Sequence, residues 1–253
     1  MKLLCSHFAG VEEGPIGIRQ LRTIFPDAGI EFLAGKLERL RLFLSKRNTL
    51  TSIEKVERAP VLKVFFPAGR FGPLPGTQWK VVFKSVETVF LKYKLFIPPD
   101  FDFVKGGKLP GLGGGTGNTG GKVPSGSDGW SVRFMFKEQG EMCAYLYYPA
   151  MPDGFGEKLF LKSGGSRFLL PKGKWLKIGL EVQMNETAKE NGFIRCFIDD
   201  ELMLERRGLQ FRSTDKLKID HLLFSTFFGG ADFSYAPPKD CFLLYKDFIV
   251  EDI

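Results

Sequence analysis

Four polar side chains lie at alternating positions in two short apolar runs near the middle of the chain. Ser131 and Arg133 alternate in WSVRFMF, and Tyr145 and Tyr147 alternate in CAYLYY. The four residues offer a cation, a hydroxyl and two phenols, with no carboxylate. This set lacks the paired carboxylates of most glycoside hydrolases, and neither histidine of the chain lies in a recognisable nucleophile motif of a Ser-His-Asp hydrolase.

These groups suit β-elimination on a uronic acid. The proton beside a carboxylate is very weakly acidic while the carboxylate keeps its charge, so a cation must neutralise that charge before a base can remove the proton. A tyrosine has an ordinary pKa of about 10. If adjacent cations lower that pKa, the phenol can act as the base, and it can also act as the acid for the departing glycosidic oxygen. The residue types do not decide which tyrosine does which.

A hairpin would bring the four residues together. A three-residue loop at 138–140, with its glycine in the left-handed conformation, predicts a register with Arg133 opposite Tyr145 and Ser131 opposite Tyr147. Because side chains alternate across a strand, all four lie on one face. The opposite, apolar face is the predicted core side, since the reverse would bury Arg133 unpaired. We therefore expect the four polar side chains to point outward, onto the sheet surface.

The rest of the chain predicts an all-β fold. Short strand-like runs separated by turn residues continue from about residue 53 to the end, which is typical of a two-sheet antiparallel β-jelly roll sandwich. Residues 53–253 are predicted to form this domain, and residues 1–52 to pack on it as an N-terminal segment. Leucines between residues 33 and 44 fit both a short helix and an edge strand.

Residues 105–129 are rich in glycine and contain a GxGxxG match at Gly115, Gly117 and Gly120. No strand-like run precedes the match and no helical run follows it, so the dinucleotide-binding interpretation fails. The whole stretch is predicted to be a loop. Long loops of this kind are often binding loops or lids.

Composition limits the remaining possibilities. The net charge of +7 favours an anionic partner. No apolar stretch approaches the roughly 18 residues of a membrane span, and the first residues do not resemble a secretory signal peptide, so localisation stays open. The cysteines are predicted to be reduced core thiols, and no residues have the spacing of a zinc or calcium site. They are Cys5, Cys143, Cys196 and Cys241.

Four motifs, in this order, resemble the polysaccharide lyases of family 14, known from algal viruses and molluscs. They are VLKVFFPAG at 61–69, KGGKLPGLGGG at 105–115, WSVRF with AYLYY, and STFFGG at 225–230. The related fungal glucuronan lyases share the GGKLPG motif. The resemblance covers roughly residues 53–253. It implies a β-jelly roll with a cleft on its concave sheet that cleaves alginate or glucuronate polymers by elimination.

The family pattern implies five active-site residues in this chain: Lys108, Ser131, Arg133, Tyr145 and Tyr147. On that pattern Lys108 and Arg133 would neutralise the uronate carboxylate and Ser131 would bind the sugar or its carboxylate. One tyrosine would remove the proton and one would protonate the leaving oxygen. No cofactor is expected to be required.

Two other functions stay open. A lectin-like module that binds acidic glycans without cleaving them would keep the fold and the cleft, although binding alone would not need two phenols beside a cation. A nucleic-acid binder is disfavoured because the basic residues are scattered and no RNA-recognition motif is present. The expected partner is therefore an acidic polysaccharide bound by a monomer, with no nucleic acid and no membrane.

Overall fold

A computed structural model describes residues 1–33, 50–73, 77–152 and 154–253. The described residues contain one α-helix, α1 (Ile18–Ile24), and short 3-10 turns at Glu138–Gly140 and Phe233–Tyr235. The first strands are β1 (Lys2–Cys5), β2 (Gly14–Pro15), β3 (Gly29–Phe32), β4 (Thr51–Val56), β5 (Ala59–Phe66), β6 (Thr77–Val86), β7 (Thr88–Phe96), β8 (Gly106–Gly115) and β9 (Gly129–Lys137). The others are β10 (Met142–Tyr147), β11 (Glu157–Phe160), β12 (Lys162–Ser163), β13 (Ser166–Arg167), β14 (Trp175–Gln183), β15 (Gly192–Ile198), β16 (Glu201–Leu209), β17 (Ile219–Phe228) and β18 (Cys241–Glu251).

Two antiparallel sheets contain almost all of these strands. A nine-stranded sheet has the order β16-β15-β14-β7-β18-β5-β4-β2, with β1 paired to β18. A seven-stranded sheet has the order β11-β10-β9-β8-β17-β6-β3, and β12 and β13 form a separate ribbon. The prediction of an all-β, two-sheet antiparallel sandwich of jelly-roll type is confirmed.

Every second residue of a strand such as β7 is buried, which places one face of the strand in the core. Along β7 the buried residues alternate with partly exposed ones, as expected for a strand with one apolar face. The inner faces of the two sheets meet through aromatic side chains. The rings of Phe66 and Phe228 lie 5.3 Å apart, as do those of Phe224 and Tyr245, and the Thr226 hydroxyl lies 2.8 Å from the Tyr245 hydroxyl.

The N-terminal residues contribute strands to both sheets. In the described part, β1 pairs with β18, β2 pairs with β4 and β3 pairs with β6. The leucines between residues 33 and 44 lie almost entirely outside the described residues. All four cysteines are free, and all but Cys5 are buried, as predicted for core thiols. No helix in the described part is long and apolar enough to cross a membrane.

The predicted loop at 105–129 is wrong over its first part. Residues 106–115 form β8, a buried strand between β9 and β17. Glycine is a poor strand former by itself, but here it permits a close approach between neighbouring strands. A Cβ on Gly111 would lie 2.0 Å from the Val132 carbonyl oxygen. The register between β8 and β9 shifts at Pro110, which places this proline at a β-bulge.

Candidate active site

The hairpin of β9 and β10 has the register that the sequence predicts. Arg133 pairs with Tyr145 and Ser131 pairs with Tyr147, and Gly140 has a φ of 85° in the loop between the strands. Lys108 on β8 pairs with Met135 on β9. The five implied site residues therefore lie on three adjacent strands of the seven-stranded sheet. They lie on its outer face, away from the core between the sheets.

Two cations at this site are buried without an acidic partner. Lys108 is 9% exposed and Arg133 is 2% exposed, and within the described part of the chain neither forms an ion pair. The Lys108 Nζ lies 2.9 Å from the Met135 sulfur and 3.9 Å from the centre of the Tyr145 ring. Burial, reinforced by the charge of Arg133, holds the pKa of Lys108 well below its ordinary value. Burial also lowers the pKa of Arg133, to about 10.

The site tyrosines touch each other. Their hydroxyls lie 3.4 Å apart, and their rings meet edge to face at 5.4 Å. Burial raises the pKa of Tyr145, and the hydrogen bond to Tyr147 raises it further, whereas the charge of Arg133 lowers it. Arg133 therefore lowers the pKa of Tyr145, as the sequence predicts for an adjacent cation. Burial raises the same pKa by a larger amount. The Tyr147 hydroxyl accepts a hydrogen bond from the Gly121 N–H at 3.1 Å.

The expectation that the polar face lies open on the sheet surface is wrong in part. The four side chains do point away from the core, but each is at most 5% exposed. A segment at residues 116–121, which we call the covering segment, lies over Ser131 and Tyr147. Ser131 donates a hydrogen bond to the Asn118 carbonyl at 2.6 Å, and the segment also bonds to Tyr147 through Gly121. The register of a hairpin describes only its two strands. It does not predict that another segment of the chain packs over them.

Ser225, Gln78 and Met135 hold the cations in place and are not among the site residues that the sequence predicts. Arg133 donates to the Ser225 hydroxyl at 3.1 Å, and Ser225 donates in turn to the Gln78 side-chain oxygen at 3.1 Å. Met135 packs against Lys108. The alternation along β9 placed Met135 on the site face, and Ser225 begins the STFFGG motif, so both carried a signal. Gln78 carried none, because it reaches the site only through the pairing of β6 with β17.

Metal ligands are not grouped at this site. Among the residues that the structure describes, no three His, Cys, Asp or Glu side chains are arranged to hold a metal ion. The polar atoms at the site are those of a lysine, an arginine, a serine and two tyrosines. Such a set presents mainly hydrogen-bond donors, which suit an anion.

Several solved structures with a similar fold are alginate lyases. Alginate lyase Aly36B matches with a TM-score of 0.80 at 19% identity, over 100% of this chain and 97% of that chain. The PL-14 alginate lyase from Aplysia kurodai matches with a TM-score of 0.68 at 25% identity, over 89% and 98%. An alginate lyase from Chlorella virus matches with a TM-score of 0.69 at 21% identity, over 85% and 97%. No curated protein matches this chain in sequence.

A match between the sequence and a family model identifies the protein family. The model of the family described as polysaccharide lyase 14 matches residues 54–248, which is most of the chain. The protein belongs to this family and is a polysaccharide lyase. The resemblance that the four motifs indicated is confirmed.

Proposed function

We propose that this protein cleaves uronic-acid polymers, either alginate or glucuronan, by β-elimination at the site on β8, β9 and β10. The observation that carries the proposal is the pair of buried cations, Lys108 and Arg133, without an acidic partner in the described residues. An unpaired buried charge is costly, and the carboxylate of a uronate would pair with both. An alginate tetrasaccharide bound to a variant of Aly36B gives further support for an acidic polysaccharide.

In the proposed reaction Lys108 and Arg133 neutralise the substrate carboxylate, which makes the adjacent ring proton acidic enough to remove. Tyr147 takes this proton, and the electron pair forms a carbon–carbon double bond as the bond to the glycosidic oxygen breaks. Tyr145 donates its proton to that oxygen. The products are an unsaturated uronate end and a chain with a free hydroxyl, so atoms and charge balance without an external reactant.

Tyr145 is assigned as the acid because burial raises its pKa and keeps the phenol protonated. Tyr147 is assigned as the base because its oxygen already accepts a hydrogen bond, from Gly121. After one turnover Tyr147 holds the proton that Tyr145 has lost. Their hydroxyls are 3.4 Å apart, so a small approach would let the proton return and reset the pair. Ser131 binds the sugar once its bond to Asn118 is released.

The first test follows the ultraviolet absorbance of the unsaturated product with alginate and, separately, with glucuronan, in the presence of a chelator. We expect a rise with at least one polymer, and a fall in rate on the order of 10²-fold or more for both Tyr145→Phe and Tyr147→Phe. Wild-type activity in both variants would refute the assignment. Binding of the polymers without any product would favour the lectin-like alternative, and loss of activity with chelator would contradict a cofactor-free reaction.

A second experiment separates the acid from the base. A uronide with an activated leaving group needs little protonation of its departing oxygen. We expect this substrate to restore much of the lost rate to Tyr145→Phe and little to Tyr147→Phe, because the second variant still lacks the base. The opposite pattern would exchange the two assignments.

A further inference from the structure

His221 on β17 is a buried histidine that the proposed reaction does not use. It is 1% exposed, and its Nδ1 is hydrogen-bonded to the carboxylate of Asp220. A carboxylate only accepts hydrogen bonds, so Nδ1 carries the proton and the lone pair of the neutral ring lies on Nε2. Within the described residues this Nε2 is buried and has no hydrogen-bond partner.

Asp220 fixes the orientation of this ring. Its second oxygen accepts a hydrogen bond from the Gly115 N–H at 2.9 Å, so the carboxylate is anchored to the end of β8. The register between β17 and β6 shifts between Ile219 and His221, and such irregularities re-aim side chains. The carboxylate and the imidazole of adjacent residues can therefore meet, although neighbours on a regular strand point to opposite faces.

The imidazole lies beside the proposed active site. His221 pairs with Gly113, Gly113 pairs with Ser131, and Ser131 pairs with Tyr147. These four residues form one row across four adjacent strands. A Cβ on Gly113 would lie 2.5 Å from the His221 Nε2. The ring therefore extends across β8, over the glycine, towards Ser131.

The covering segment also lies over this histidine. A Cβ on Gly117 would be 2.8 Å from the same Nε2. The segment thus contacts His221, Ser131 and Tyr147 together, but it gives Nε2 no donor, whereas it does bond to the other two. A buried acceptor without a partner lowers stability, and such a group in a native structure requires a reason.

The charged groups around His221 keep its ring neutral. Burial is the largest effect and lowers its pKa, and the Lys80 ammonium on β6 acts in the same direction. Asp220 on its own strand and Glu31 on β3 oppose this shift without reversing it. Near neutral pH the Nε2 is therefore an acceptor, and its natural partner is an O–H group.

We propose that His221 is a substrate-binding residue whose Nε2 accepts a hydrogen bond from a ring hydroxyl of the sugar unit that replaces the covering segment beside Ser131. The ligand class is a uronic-acid oligosaccharide, and the inference rests on the proposed function. Asp220 is a positioning residue that holds the acceptor tautomer. The row from His221 to Tyr147 would then bind one sugar unit by its hydroxyls, next to the two cations that bind a carboxylate.

The chain has only two histidines, so imidazole nitrogen resonances can be assigned with a His7→Phe variant. The experiment titrates the Tyr145→Phe protein, in which turnover is slow, with an alginate trisaccharide and separately with a glucuronan trisaccharide. We expect the Nε2 resonance of His221 to shift with saturation while that of the exposed His7 does not move. No shift of His221 with either trisaccharide would overturn the proposal.

Kinetics provide an independent measurement. We expect His221→Phe to raise KM on the order of tenfold with kcat changed by less than about threefold, the result for an interaction made equally in the ground and transition states. His221→Gln keeps an acceptor oxygen and should recover part of the loss, and His7→Phe is the control without effect. An unchanged KM in a folded His221→Phe protein would contradict the inference.

The outcomes separate this inference from the proposed function. Product formation by the wild type with a silent His221 resonance would leave the lyase reaction standing and remove the histidine from the site. A saturable His221 shift without product from either polymer would have the opposite meaning, namely a sugar-binding row without the proposed chemistry. The titration is made on a protein that keeps His221, so it remains decisive even if a His221 variant fails to fold.

Discussion

Replacement of Lys108 by methionine should abolish activity and stabilise the protein at the same time. The ammonium is buried, lies against the Met135 sulfur and the Tyr145 ring, and is near the like charge of Arg133. Methionine has a similar length and no charge. Replacement of buried ionic groups by well-packed apolar ones is often neutral or stabilising by about 1–4 kcal/mol. Among the described residues Lys108 has no carboxylate partner, so we expect the upper part of that range.

The expected size of the effect can be measured by thermal unfolding. For a domain of this size each kcal/mol raises Tm by about 2–4 °C. The size of this stabilisation depends on pH: the unfolded lysine has a pKa of about 10.4, and the folded pKa lies below it. Between the folded pKa and 10.4 the unfolded state therefore binds more protons than the folded state, and the wild type gains stability as the pH rises through this interval. The advantage of Lys108→Met should shrink over the same interval.

Lys158→Met provides the matched control for stability. Lys158 lies opposite Tyr145 on the edge strand β11 but is exposed, so the same change should alter the unfolding free energy by less than about 0.5 kcal/mol. Activity of Lys108→Met is followed by the unsaturated product. A destabilised Lys108→Met protein would contradict the predicted cost of the buried ammonium, and wild-type turnover would exclude Lys108 from the reaction.

Three further predictions concern neighbouring residues. Ser225→Ala should lower kcat/KM about tenfold without abolishing turnover, because Arg133 loses the hydroxyl that positions it; unchanged kinetics would exclude this support. Tyr148→Phe should leave turnover intact and reduce Tm, because its hydroxyl bonds to Glu157 at 2.6 Å and is outside the reacting pair; loss of turnover at unchanged Tm would contradict this. Gly111→Ala should unfold or strongly destabilise the protein in thermal denaturation, and a wild-type Tm would show that β8 and β9 can separate.

The sequence predicts the part of the site that depends on residues close together in the chain. The register of the hairpin depends on a three-residue loop and on side-chain alternation, so the pairing of Arg133 with Tyr145 could be read from the sequence. Strand β8 could not, because its glycines have low strand propensity and are favoured only by the backbones on both sides. The cover over Ser131 and Tyr147 also depends on contacts between distant parts of the chain. The family resemblance supplied Lys108 but placed it in a loop.

The glycines that hide β8 from sequence prediction also explain how the site is assembled. Gly111 lets the backbone of β8 close against the strand that carries Arg133, and Gly113 lets the imidazole of His221 extend across β8. The groups that lower stability lie on this same outer face of the seven-stranded sheet. In the part of the chain that the structure describes, the two cations have no acidic partner, and the Arg133 Nε and the His221 Nε2 are buried without a hydrogen-bond partner. Unfavourable buried groups of this kind persist in proteins where function requires them. A bound uronate would satisfy these groups together, the carboxylate through the cations and the hydroxyl through the histidine, and this would make the face complementary to its substrate.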